Sequence, residues 1–369
     1  MQYPIRRKLR PRDARRSNRA FVLQAINDNP RLSRADLARE TGLTKVTISD
    51  LVAELIDADL VRETGTSEVG RPGKPSTLLA LNPAGRDILA MDLSARDRLR
   101  GAVLSLRGEP MLTRVRPLDG ATGQDALDAA RALAADLARA ATRPILGLGV
   151  GTPGTVDRSG TVLWAPNLHW TDLPLQQLLA DDLGLPVRVE NDANVAVLAE
   201  RRFAGGPGDL VRIQFSRGVG AGLLVGGHLV HGAASDAGEI GHVTIGGEDG
   251  PLCGCGKTGC LEAWASVPVL RGQLEADPVR ADEILARAGR RLGLALAPVV
   301  GMLGLQHIVV GGPADVITPA LLDAACDCIV ERTRSEFRPR LELTASSLGE
   351  DAVLLGAGAL VQLNELGVA

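Results

Sequence analysis

Ala237-Gly238-Glu239-Ile240-Gly241-His242, followed by Cys253-Gly254-Cys255-Gly256-Lys257-Thr258-Gly259-Cys260-Leu261-Glu262, is the stretch on which the fold turns. One imidazole and three thiols, His242, Cys253, Cys255 and Cys260, are the types and number of a closed tetrahedral zinc site. The glycines between the cysteines permit a tight loop that points all three sulfurs inward. Four protein ligands leave no open position, so the expected Zn2+ is structural, one per chain, and not a hydrolytic centre. The plainer alternative is three buried free thiols beside an unrelated histidine. Cys326 and Cys328, two apart on an expected helix, point to different faces and read as core. The chain's five cysteines, an odd number, argue against a disulfide framework.

Around this stretch lie 369 residues, enough for two or three domains. Hydrophobic residues make up 45% and charged residues 23%, which excludes a disordered or fibrous chain. Aromatics, at 2%, are too few for the stacking platforms of a single-strand nucleic-acid binder. The net charge of −3 conceals an asymmetry, because residues 1–80 carry 15 Lys/Arg against 10 Asp/Glu while the remainder is acidic. Arg6, Arg7, Lys8, Arg10, Arg12, Arg15, Arg16 and Arg19 are opposed within the first 19 residues only by Asp13, the pattern of a polyanion partner or of a solvated tail. No apolar stretch of signal-peptide type opens the chain, and the uncharged run Leu292–Ala314 is interrupted by Pro298, Gln306, His307 and Gly311-Gly312-Pro313. A cytoplasmic protein with no membrane partner is expected, the run forming a buried helix and then a buried strand.

The first eighty residues read as three short helices, about 18–27, 33–40 and 44–57. Asn29-Pro30 breaks the first, Ser33 caps the second with Asp36 three residues on, Gly42 permits the turn and Thr44 caps the third. Leu37, Ala38, Leu43, Val46, Ile48, Leu51, Val52 and Leu55 would tie the last two together as a helix-turn-helix. Two short strands follow, around Leu60-Val61 and Leu78–Leu81, joined through the basic, proline-stiffened Gly70-Arg71-Pro72-Gly73-Lys74-Pro75. A plain three-helix bundle has no such wing. The segment resembles winged helix-turn-helix repressors, and the resemblance makes the third helix the reader, presenting Lys45, Thr47, Ser49 and Asp50 to the major groove, with Arg71 and Lys74 at the minor groove or phosphates. Asp50 departs from the basic or small residue usual there; a carboxylate near phosphates is repulsive unless it accepts from a cytosine amino group. The implied partner is a double-stranded DNA operator, bound as an inverted repeat by a homodimer or a dimer of dimers.

From about Arg86 three strands are expected, near 88–93, 100–106 and 111–117, followed by an Ala-rich helix over 125–141. A similar grouping recurs at 211–215, 221–225 and 228–230, so the region reads as two related α/β halves closing over a ligand. With Gly147-Leu148-Gly149-Val150-Gly151-Thr152-Pro153-Gly154, the Asn167-Leu168 segment ending in Trp170, Glu190-Asn191-Asp192-Ala193-Asn194, Gly218-Val219-Gly220-Ala221-Gly222 and Gly311-Gly312 in order around the Cys/His cluster, the chain resembles the ROK family of repressors, open reading frames and sugar kinases along essentially its whole length. The resemblance implies a two-lobed actin-like ATPase and sugar-kinase fold behind the winged head. The expected domains are 1–82, a basic arm and DNA-binding head, and 83–369, a sugar-binding domain with lobes at about 83–190 plus the C-terminal helix and about 191–350.

The same resemblance assigns sugar hydroxyls to Asn191, Asp192, Glu239, His242 and Glu262, with the Asn167 loop nearby and Asp192 matching the kinases' catalytic base. Carboxylates, an amide and an imidazole can satisfy every hydroxyl of a polyol in a dry cleft. Asn191-Asp192-Ala193-Asn194 could also simply cap a helix. Where the kinases place Gly, Gly and Thr after the first-strand Asp, this chain has Ser94, Ala95 and Arg96, and their Gly-Thr-Gly is Ser216-Arg217-Gly218. Both phosphate cradles therefore gain side chains, and Asp192 is expected to be a vestigial base, since an activated hydroxyl without a positioned phosphoryl group has no reaction to accelerate. The expected function is a sugar-responsive repressor of carbohydrate genes with an inactive kinase-like cleft; the alternative is a bifunctional ATP-dependent sugar kinase with a DNA-binding domain.

Overall fold

The computed structural model describes residues 11–66, 76–246, 249–333 and 341–368. The head comprises α1 (Pro11–Asp28), β1 (Leu32–Ser33), α2 (Arg34–Thr41), α3 (Lys45–Asp57), β2 (Val61–Thr66) and β3 (Thr77–Leu81). Its local signals act as expected. Ser33 and Asp36 form a reciprocal capping box, Gly42 ends α2 at φ 70°, and Thr44 caps α3 by accepting from the Thr47 amide. Leu37, Ile48, Leu51, Val52 and Leu55 are buried between the helices. Val46 is a correction: it is 71% exposed, because two residues past the Thr44 cap it falls on the face opposite Leu51 and Leu55. The wing strands pair antiparallel, and the two-residue β1 adds to β3 on the other side. Arg71 and Lys74 lie outside the described residues.

The first lobe is built from β4 (Asp87–Asp92), β5 (Arg98–Leu104), β6 (Pro110–Pro117), α4 (Gly123–Ala140), β7 (Ile145–Thr152), the small antiparallel flap β8 (Thr155–Val156), β9 (Val162–Ala165) and β10 (Trp170–Leu173), then α5 (Leu175–Leu183) and β11 (Val187–Asn191). The second contains α6 (Asp192–Phe203), β12 (Leu210–Phe215), β13 (Val219–Val225), β14 (His228–Leu229), α7 (Leu261–Ala265), α8 (Val267–Ala276), α9 (Ala281–Leu303), β15 (His307–Gly311), α10 (Pro319–Arg332) and β16 (Glu342–Ala345), after which α11 (Ala352–Val361) returns to the sheet of the first lobe. The two five-stranded sheets, β6-β5-β4-β7-β11 and β14-β13-β12-β15-β16, have one topology: an antiparallel meander of three strands extended by two parallel strands. The two halves expected from the recurring strand pattern are therefore real.

Helical periodicity explains α4, whose Ala126, Leu127, Ala130, Leu133, Ala134 and Leu137 are all buried. Each leucine contributes about 2 kcal/mol by leaving water. The run after Leu292 forms the end of α9 and then β15, and α9 continues through Pro298 instead of breaking there. No helix among the described residues is long and apolar enough to cross a membrane. Cys328 is buried, whereas Cys326 is only partly so.

The C-terminal helix α11 packs on β4 and β7 of the first lobe and on α6, which makes it the keystone between the two lobes. Its approach depends on missing side chains. A Cβ on Gly356 would stand 1.9 Å from the Val195 carbonyl oxygen, and one on Gly149 equally close to that of Ala357. Gly356→Ala must part α11 from α6, and a loss of about 3 kcal/mol is expected, read as a lowered denaturant midpoint.

Candidate functional site

His242 closes a 3-10 turn, Ile240–His242, and Cys260 caps α7, while Cys253 and Cys255 sit on a knuckle between them. The knuckle is closed by the Cys253 amide donating to the Lys257 carbonyl and the Gly256 amide to that of Cys253, with Gly256 at φ 87° and Gly259 at φ 75°. One donor atom from each of the four residues lies within 4.8 Å of the others. Cys253 Sγ is 3.6 Å from His242 Nδ1, and Cys255 Sγ is 3.7 Å from Cys260 Sγ. Zinc bonds of ordinary length at tetrahedral angles would give edges of about 3.6 Å (S to N) and about 3.8 Å (S to S), so the donor set fits that ion. His242 presents Nδ1 to the cluster and leaves Nε2 3.8 Å from Glu239 Oε2.

Beside the cluster several carboxylates come together. Asn191 and Asp192 stand at the junction of β11 and α6, and Asn191 is the N-cap, its Oδ1 accepting from the Ala193 and Asn194 amides and its Nδ2 donating to the Gly154 carbonyl. The capping role weighed from sequence is thus real, and it leaves one Asn191 N–H for a ligand. Glu262 Oε2 accepts from the Val219 amide at 3.1 Å and occupies the space above Gly218, where a Cβ would come within 2.4 Å of it. Asp192 feels the charges of Asp92 and Glu239, and Glu239 that of Glu262, so three of the expected carboxylates share one region. Asn167 is exposed in the turn joining β9 to β10.

Burial, and next the neighbouring Asp92, pushes Asp192 up to about 7. The folded chain therefore holds a proton that an unfolded aspartate, ionising near 3.8, has released. The stability this adds is full below pH 3.8 and is lost as pH rises through about 7. Asp192→Asn cannot charge, so its melting temperature should gain on that of the wild type between pH 5 and pH 8; scanning calorimetry across that range checks the sign.

Several charged residues here escaped the sequence reading. Glu190 accepts from the Asn191 amide and from Asn194 Nδ2 through Oε1, and pairs with His231 Nε2 at 2.6 Å through Oε2. This pair raises the His231 imidazole above its ordinary range. Arg212 and Glu200, both buried, pair at 3.0 Å, and Arg212 continues to Gln214. Gly311 leaves room for the Arg212 guanidinium, which a Cβ would meet at 2.2 Å. A charged residue in an apolar strand demands a buried partner, which was the available signal.

At the two expected phosphate loops, the Ser94 amide and hydroxyl both donate to Asp92 Oδ1, at 2.9 and 2.5 Å. The Ser216 amide donates to the Gly218 carbonyl across its turn. Arg96 and Arg217 are exposed. On the head, Lys45, Ser49 and Asp50 are exposed along α3 together with Val46, whereas the Thr47 hydroxyl turns back to that of Thr44 at 2.9 Å.

The ROK family's sequence profile matches residues 95–364, and that of the MarR family matches residues 17–72. The chain belongs to the ROK family. This ROK chain is 29% identical over 383 residues to the xylose repressor of Caldicellulosiruptor bescii, with 93% of this chain and 95% of that one covered. Its sugar domain is 32% identical over 259 residues to the glucokinase of Halalkalibacterium halodurans, covering 60% of this chain and 77% of that one. Among solved structures it is similar to a ROK family transcriptional regulator, a homolog of the E. coli MLC protein, with a TM-score of 0.84, 28% identity and coverage of 96% and 98%. Head, lobes and their order thus belong to a winged helix-turn-helix fused to the actin-like sugar-kinase fold.

Proposed function

We propose that this ROK chain, a sugar-responsive DNA-binding repressor, senses its effector by binding a sugar in the cleft without phosphorylating it. The observation that carries the reading is the state of Asp92, which is buried with Oδ1 taken by both donors of Ser94. In the family's kinases that loop offers backbone N–H groups to phosphate; here its Ser94 amide is spent on a carboxylate. Asp192, Glu239, His242, Glu262 and the remaining Asn191 N–H supply the polyol shell, with Asn167 at its rim. Zinc held by His242, Cys253, Cys255 and Cys260 would supply no chemistry at an open coordination site and would fix the His242 ring, so that Nε2 stays aimed beside Glu239.

The head would read duplex DNA with α3, through Lys45, Thr47, Ser49 and Asp50. Val46 adds an apolar contact suited to a thymine methyl. A two-fold pair of heads would sit on an inverted repeat in the cytoplasm. The test is to select bound duplexes from genomic fragments with and without D-xylose or D-glucose; repeats whose recovery changes with sugar support the reading, and recovery without sequence preference or sugar dependence opposes it. Replacing both Arg71 and Lys74 with Ala should weaken binding at every sequence and reduce the slope of log affinity against log salt by about 2, measured by fluorescence anisotropy.

A further inference from the structure

One helix touches both the cleft and the head. The first turn of α6 carries the Asn191 cap and Asp192, and its last turn carries Arg202. Twelve residues at about 1.5 Å each separate the two ends by about 18 Å. Between them α6 is clamped: Val195, Ala196 and Val197 are fully buried, the Val195 carbonyl oxygen lies against Gly356, and the Ala193 carbonyl oxygen lies 2.3 Å from where a Gly222 Cβ would be. A shift of the first turn therefore moves the helix as a rod, since close-packed neighbours leave no slack to absorb it.

At the far end the Arg202 guanidinium forks. Nε donates to Gln362 Oε1 and Nη2 to Asn27 Oδ1, both at 2.8 Å. Gln362 is itself buried and donates to the Leu106 carbonyl at 2.7 Å. Asn27 lies on the last turn of α1, whose Val22, Leu23 and Ile26 share one core with Leu104, Leu106, Leu354, Ala357 and Val361 of the sugar domain. Apolar contacts of that kind hold the head but tolerate small displacements. A charge-assisted fork is directional and does not.

We infer that Arg202 is the positioning residue through which sugar in the cleft alters operator binding, α6 transmitting the movement of Asn191 and Asp192 to Asn27 and hence to the orientation of the head. This rests on the cleft being the effector site. The wild-type full-length protein, Arg202→Gln and Asn27→Ala are each titrated with D-xylose and D-glucose by calorimetry, and with a duplex selected by the wild type from random-sequence DNA, with and without the sugar that binds. The wild-type duplex affinity should change by tenfold or more on adding sugar, and the affinity for sugar should change by the same factor on adding duplex, because coupling is reciprocal. In both variants sugar affinity should stay within twofold of wild type while the coupling factor falls below threefold.

A merely structural role would leave that factor unchanged, so variants that keep the wild-type factor overturn the inference. Should Arg202→Gln fail to fold, Asn27→Ala, which leaves α6 and Gln362 intact, decides alone by the same criterion. A wild-type protein that binds neither sugar, or whose duplex affinity no sugar alters, overturns the effector reading itself and this inference with it.

Discussion

Cys255→Ser should strip the chain of zinc and weaken sugar binding tenfold or more, although Cys255 is exposed and lines no part of the cleft. The reasoning runs through His242. Its Nδ1 faces the thiols and its Nε2 faces Glu239, so one imidazole joins the thiol cluster to the carboxylates proposed to hold sugar. With a ligand lost, the three remaining donors no longer complete a tetrahedron, the knuckle relaxes, and the ring is free to turn. Cys260 stands at the N-cap position of α7, the helix that carries Glu262, so the loss should reach a second of the proposed sugar ligands. Elemental analysis should find about one zinc per wild-type chain prepared without chelator and far less in the variant. Zinc-free wild-type protein, or a zinc-free variant with unchanged sugar affinity, would contradict the link.

Much of this site was legible because short-range chemistry wrote it. The Cys/His spacing, the Ser33 and Thr44 caps, the Gly42 turn and the strand meanders all depend on residues a few positions apart, and the structure places them as expected. What the chain alone concealed depends on distant partners. Val46 is a different case: it stands five and nine residues before Leu51 and Leu55, on the opposite face of α3, so the helical period itself places it outside. Pro298 reads as a break, but it lies within a helix held by neighbours on one side, and packing outweighs the lost bond. Glu190 with His231, Arg212 with Glu200, and Arg202 with Asn27 are pairs 12 to 175 residues apart, and no local period announces them. Asn191 was ambiguous between cap and ligand because it serves the first role with one set of atoms and keeps an N–H for the second.

Ser94, Ala95, Arg96 and Arg217 are the side chains expected to obstruct the two phosphate loops, and of these Arg96 and Arg217 are exposed. The Ser94 amide and hydroxyl converge on Asp92, whose charge Asp192 feels. Asp192 itself is pushed up to about 7, first by burial and next by the charge of Asp92. On the proposed reading, the sensor differs from the family's kinases at the phosphate loops and not at Asp192.

The most direct test measures ADP release from Mg-ATP by the zinc-loaded, full-length protein, with and without D-xylose and D-glucose, beside calorimetric sugar titration of the same preparation. The account predicts a clear heat of sugar binding, weakened in Asp192→Asn, with ADP release no higher in the presence of sugar than in its absence. Sugar-dependent ADP release that Asp192→Asn abolishes would show that the cleft is a working kinase.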